Sequence, residues 1–192
     1  MDITQFLQAA HDGDTDARVN LIQAAYDELR KIASVKMANE RQDHTLTATA
    51  LVNEVSLKLL HDAELPCQSR AQFLGCAAHA MRNVLIDHAR TRGRQKRGGD
   101  RSHVEFQEAV IACQEQSDDL LALNEALEEL ANLEPRQAQV VEMRYFGGMT
   151  NQEIADALGI SLATVKRDWL VAKSWLLCEL RESPEDINED AR

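Results

Sequence analysis

Apolar side chains recur three and four residues apart along most of this chain, the spacing that gathers them on one side of a helix. Ile3, Phe6, Leu7 and Ala10 make the first such run, ending near Asp12-Gly13-Asp14. Val19, Ile22, Tyr26, Leu29 and Ala33 predict a long amphipathic helix. Beyond a polar stretch from Arg41 to His44, Leu51, Val55 and Leu59 mark a third helix, which stops near Leu65-Pro66. Ser69 suits the N-cap of a fourth, with Phe73, Ala77, Met81, Leu85 and His88 on its buried stripe. That helix continues into a basic segment and ends at Gly98-Gly99.

Residues 100–117 lose the periodicity and predict an acidic linker, with room for a short helix between Val104 and Cys113. Leu120, Leu123, Leu127 and Leu130 open a second helical unit. Pro135 fits the first turn of the next helix, where its missing N–H is not needed. Ala138, Val141 and Tyr145 give that helix a face, and Gly147-Gly148 ends it. No strand pattern or repeat is present. The expected fold is all-α: a helical domain over 1–99, a linker over 100–117, a second helical domain over 118–183 and an acidic tail over 184–192.

Composition agrees, since 44% of the chain is hydrophobic and only 4% aromatic. No stretch is long and apolar enough for a bilayer and no signal pattern opens the chain, so a cytoplasmic protein without membrane insertion is expected. Cys67, Cys76, Cys113 and Cys178 are scattered, which argues against a disulfide framework. Nothing in the sequence around them is distinctive of a redox sensor. Cys76 and His79 have the spacing of half a metal site, but no second pair matches them, and neither metal nor cofactor is expected.

The net charge of −11 hides a segregated distribution. Arg82 to Arg101 holds seven Arg/Lys against two Asp, whereas Ser102 to Glu134 holds nine Asp/Glu and no cation. Overall acidity argues against indiscriminate nucleic-acid binding, not against a local basic face.

Two segments have the chemistry of DNA recognition. Thr150-Asn-Gln-Glu153 is a capping box, Gly159 sits where a tight turn needs a left-handed residue, and Ser161 caps the next helix. Ala155, Gly159 and Val165 have the spacing of a helix-turn-helix, with Ile154, Leu158 and Ile160 filling its interior. Burying Val165, Trp169, Ala172 and Leu176 leaves Ser161, Thr164, Lys166, Arg167 and Lys173 exposed, joined by Thr150 and Gln152 on the preceding helix. Such a helix suits the major groove.

The second segment is the basic helix, where Asn83, Asp87, Arg90, Arg94 and Arg97 share a stripe flanked by Arg82, Arg92 and Lys96. Cations there neutralise phosphates, while Asn83 and Asp87 suit base edges or unpaired bases. A charge run alone is more often a solvated face; the second DNA-binding unit downstream reverses that balance in favour of nucleic acid.

With these segments in place, the chain resembles an extracytoplasmic-function sigma factor of the sigma-70 family over nearly its whole length. Thr49-Ala-Leu-Val-Asn-Glu54 through Leu60 is similar to the helix that docks on the polymerase clamp, which implies polymerase contacts from Leu51, Asn53, Glu54 and Lys58. Phe73 to Arg97, including Met81-Arg-Asn-Val-Leu-Ile-Asp-His-Ala-Arg90, resembles the reader of the −10 element. Val140 to Leu176, with Tyr145-Phe-Gly-Gly148, Glu153-Ile-Ala155 and Thr164-Val-Lys-Arg-Asp-Trp169, resembles the −35-reading domain. The resemblance implies core RNA polymerase and promoter DNA as partners, two readers spaced by the linker, and a linker lying near the active-site cleft and RNA exit path.

One departure stands out. Many such factors begin the clamp-docking helix with clustered Asp and Glu, whereas this chain has Thr47-Ala-Thr-Ala50 and keeps only Glu54 nearby. Phosphorylation of Thr49, or failing that Thr47, by a Ser/Thr kinase would restore about two negative charges there; helix capping alone is the simpler role for the same threonines. Control by an anti-sigma factor is the other route the resemblance allows. A helix-turn-helix repressor or response regulator is the alternative class, though residues 1–100 lack the strands of a receiver domain. No nucleophile–base set or phosphate loop points to an enzyme.

Overall fold

Most helix starts have a visible side-chain cause. The computed structural model describes residues 3–11, 14–38, 46–61, 66–95 and 117–181, and among these the chain is helical with no strand. After α1 (Ile3–His11), Asp14 Oδ1 accepts the N–H groups of Asp16 and Ala17 at 2.9 and 3.3 Å and opens α2 (Thr15–Ala38). Thr47 Oγ1 accepts the Ala50 N–H at 3.1 Å to begin α3 (Ala48–His61), and Ser69 Oγ accepts the Gln72 N–H at 3.2 Å to begin α4 (Arg70–Gln95). The second half holds α5 (Ser117–Leu133), α6 (Pro135–Tyr145), α7 (Asn151–Leu158) and α8 (Leu162–Arg181). Pro135 occupies the first turn of α6, as its sequence position predicts.

The helices beyond α1 pack mainly where the periodicity places their apolar faces. Leu51, Val55 and Leu59 of α3 are buried, as are Phe73, Ala77, Met81 and Leu85 of α4, while His88 is half-buried. Val19 departs from expectation: it is 46% exposed. α2 touches both α1 and α3, and its buried side is centred on Leu21, Ala25, Leu29 and Ala33.

The larger difference concerns α4. A single stripe was expected, yet Leu74, Ala78, Val84 and Ile86 are buried as well. α4 contacts α3 on one side and α5, α6 and α7 on another, so the two helical units share one continuous apolar cluster through it. Phe73, Phe146, Leu127 and Met81, all almost fully buried, anchor this cluster, each contributing about 1.5–3 kcal/mol by leaving water. The units approach closely at Gly147, where an added Cβ would lie 2.8 Å from Ala78 Cβ and 2.6 Å from the Met143 carbonyl oxygen. Lys36 of α2 adds a cation–π contact, 3.5 Å from the Tyr145 ring centre.

The polar stretch at Arg41–His44, Leu65, the basic segment from Lys96 to Gly99, the linker over 100–116 and the tail all lie outside the described residues. No described helix is long and apolar enough to cross a membrane.

Candidate nucleic-acid interface

The helix-turn-helix is built by α7 and α8 and backed by α6. The capping box at Thr150 is complete: Thr150 Oγ1 accepts the Glu153 N–H at 3.3 Å, and Glu153 Oε2 accepts the Thr150 N–H at 2.9 Å. That backbone hydrogen bond from Thr150 holds the Glu153 carboxyl below the usual carboxylate range. Gly159 ends α7 with φ +65°, the left-handed geometry that a Cβ disfavours. Ser161 Oγ then accepts the Thr164 N–H at 3.1 Å and opens α8.

Ile154, Ala155 and Val165 seal the angle between the two helices. Two contacts not foreseen from the sequence brace it. Arg136 of α6 donates to the buried Asp168 of α8 at 2.6 Å, and Arg144 sits 4.5 Å from the Trp169 ring centre while donating to Asn151. The partners in the first pair stand 32 residues apart, so no local spacing announces them.

What this scaffold presents is the N-terminal end of α8. Ser161, Lys166 and Arg167 are exposed, and Thr164 is half-buried with its hydroxyl 2.8 Å from that of Ser161. Lys173 is half-buried further along. The unsatisfied amides of a helix start favour an anion, and two cations beside them strengthen that preference. Thr150 and Gln152 are exposed too, but Thr150 Oγ1 also donates to Glu153 and Gln152 Nε2 donates to Asp156 at 2.9 Å. Both are committed within the protein.

The α4 candidates divide. Asn83, Asp87 and Arg90 are exposed on one stripe. Arg94 lies near the end of α4, and Lys96 and Arg97 are outside the described residues. Arg82 is a correction to the sequence expectation: it does not flank the stripe in solvent but is 8% exposed, donating to the Asn124 side chain at 3.1 Å and the Asn124 carbonyl oxygen at 3.2 Å. A charge buried this deeply needs such partners, and α5 supplies them.

The α3 candidates divide as well. Leu51 is fully buried, so its side chain serves the core rather than a partner's surface. Asn53 and Glu54 are exposed, with Asn53 Oδ1 3.3 Å from the Tyr26 hydroxyl. Lys58 pairs with Asp87 of α4 at 3.0 Å, joining a residue expected to meet polymerase to one expected to meet DNA. Thr47 caps α3, whereas Thr49 is exposed in its first turn. Among the described residues no His/Cys/Asp/Glu group has the arrangement of a metal site.

Across the middle, the second helical unit is clasped to α4. Arg70 bridges Glu28 of α2 and, at 3.4 Å, Glu153 of the capping box. Glu142 of α6 receives His79 at 2.8 Å and lies 3.8 Å from Arg82. Its carboxylate, hydrogen-bonded to the ring, raises the His79 pKa above the ordinary histidine value.

An all-helical chain with a braced helix-turn-helix, its second helix led by hydroxyls and cations, defines a DNA-binding transcription factor. The family model for ECF sigma factors matches residues 1–182, and the chain belongs to that family. It is a sigma factor, directing transcription initiation by core RNA polymerase at promoter DNA. Family membership also removes the repressor and response-regulator alternatives. No curated protein matches the sequence.

Proposed function

We propose that this sigma factor reads its two promoter elements with α8 and α4. The N-terminal end of α8 enters the major groove of the −35 duplex through Ser161, Thr164, Lys166 and Arg167. The exposed Asn83, Asp87 and Arg90, continued by Arg94, Lys96 and Arg97, take the −10 element. Asn53, Glu54 and Lys58 on α3 face the polymerase. The observation that carries this reading is the exposed cationic start of α8 on a helix pinned from behind by Arg136 and Asp168.

The test pairs two measurements on the full-length protein. Arg90→Ala is expected to lower open-complex formation in run-off assays and to flatten its salt dependence, because one phosphate contact is lost. Lys166→Ala is expected to weaken protection of the −35 element specifically. Wild-type footprints and run-off yields from both variants would refute the assigned faces.

We further propose that a Ser/Thr kinase switches polymerase docking through Thr49. Two features support Thr49 over Thr47: its side chain is exposed, and the Thr47 hydroxyl is already occupied as the α3 cap. A phosphate in the first turn of α3 is favoured by the helix dipole and supplies the acidic charge the docking helix lacks. Run-off with core polymerase should rise for Thr49→Glu, and for wild type only after kinase treatment, with Thr49→Ala staying at the basal yield of untreated wild type throughout. Equal yields from all three would dispose of the switch.

A further inference from the structure

Cys67 lies in the short segment that enters α4 and is buried; Cys76 lies two turns into α4 and is half-buried. Their sulfurs are 2.7 Å apart. That separation is within an ångström of the disulfide bond length of about 2.05 Å, so bonding asks little movement of either side chain. Cys76 lines a cavity of about 670 Å³ between α4 and α6, together with Lys58, His79, Glu142 and Met143. Cys76 thus borders the cavity while Cys67 is almost fully buried, an arrangement that suits a peroxidatic and a resolving thiol.

We propose that Cys67 and Cys76 form a reversible disulfide driven by hydrogen peroxide, and that this bond locks the clasp between α4 and the helix-turn-helix. The Cys76 thiolate attacks one peroxide oxygen; an S–O bond forms, the O–O bond breaks, and the departing hydroxide takes the thiol proton as water. The Cys67 sulfur then attacks the Cys76 sulfenic sulfur. The S–S bond forms, the S–O bond breaks, and the second hydroxide leaves as water with the Cys67 proton. Two thiols lose two electrons to one peroxide, giving a disulfide and two waters, and a dithiol reductant reverses the change. The positive charge that Glu142 favours on His79, beside Cys76 in the same cavity, assists the thiolate.

The consequence follows from what the new ring encloses. Arg70 lies between the two cysteines and joins Glu28 of α2 to Glu153 of the capping box at α7. A covalent link from 67 to 76 fixes the backbone carrying Arg70, and with it the seat of the −35-reading unit on α4. In the reducing surroundings where RNA polymerase works, such a bond is transient and signals oxidation rather than supporting the fold.

The full-length protein is treated with hydrogen peroxide, freed of oxidant, alkylated after denaturation and mapped by mass spectrometry. A peptide joining Cys67 to Cys76 is expected, reversed by dithiothreitol, with the exposed Cys178 still alkylated. Cys67→Ser should instead leave a Cys76 sulfenic acid that dimedone captures. Run-off with untreated core polymerase should fall several-fold for the oxidised wild type and recover with dithiothreitol, while Cys76→Ser stays indifferent to peroxide. Alkylation of both cysteines after peroxide overturns the proposal, and so does a mapped cross-link with unchanged run-off. The wild-type mapping decides the chemistry even where a serine variant folds poorly.

Discussion

The two helices assigned to DNA solve opposite problems. α8 gives one face to the core, through Val165, Ala172 and Leu176, and leaves its cationic start bare. α4 is wrapped on most sides, touching α3, α5, α6 and α7, and among its described side chains only His79, Asn83, Asp87, Arg90 and Thr91 are exposed. Even that surface is partly occupied, since Asp87 holds Lys58. Under the proposed assignment, α8 is a reader first and a structural element second. α4 is the central beam of the fold, and the proposed reader is one edge of it. A run of cations says nothing by itself about which edge each one occupies.

The sharpest way to break this comparison is to remove the same kind of residue from both helices. Arg82→Ala should cost on the order of 3 kcal/mol of stability, because charged hydrogen bonds contribute about 1.5–3 kcal/mol and the side-chain and main-chain oxygens of the buried Asn124 would lose their donor. Chemical denaturation reads this directly. A variant that unfolds like wild type but binds promoter DNA poorly would return Arg82 to the DNA-reading surface.

Arg167→Ala should do the reverse. Its side chain is 69% exposed, and Asp168, 3.8 Å away, is already held by Arg136. Unfolding should shift little, while −35 binding weakens by about 1–3 kcal/mol if the side chain touches a base edge. Fluorescence anisotropy with a −35 duplex measures it, and a large loss of stability would show that α8 also carries the fold through this residue.

A smaller effect lies behind the reader. Thr150→Ala removes the hydroxyl half of the capping box and should cost about 1 kcal/mol, the usual loss for an N-cap. Restoration by Thr150→Ser, measured as recovery of the melting temperature, distinguishes the lost hydroxyl from lost packing.

Much of α8 and its supports was legible because the signals are local. Thr150 with Glu153, Gly159, Ser161 and Pro135 each act within four residues of themselves, and the structure shows each in that role. The buried face of α8 follows from spacing for the same reason. What escaped is tertiary. Arg82 meets Asn124 42 residues away, Lys58 meets Asp87 29 residues away, and Cys67 and Cys76 approach only because the chain turns at Pro66 to Ser69. Leu51 shows a complementary conflict: the family motif points to a docking helix, while its apolar spacing with Val55 and Leu59 already turns it inward, where the structure places it. Val19 fits a helical stripe numerically, and the stripe is rotated because two neighbours cover α2 instead of one.

The smallest expected effect tests whether the clasp on α4 responds to pH. His79 is 62% exposed and its partner Glu142 13%, so solvent screens the pair and its worth is about 0.2–1 kcal/mol. The carboxylate raises the folded-state pKa of His79, with burial and then the Arg82 charge opposing it. A raised histidine pKa contributes its full stability below the ordinary value near 6.5 and loses it as pH rises through the folded value. Wild type should thus lose a little stability as pH rises from about 6.5 through the folded value that His79→Gln does not, with the difference between the two denaturation curves as the readout. Because Glu142 also faces Arg82, Glu142→Gln should erase the same difference and lower stability at both ends of the range. A pH profile for His79→Gln that parallels wild type would mean the histidine merely rests beside α6, leaving Arg82 and Arg70 as the polar contacts that join α4 to the second unit.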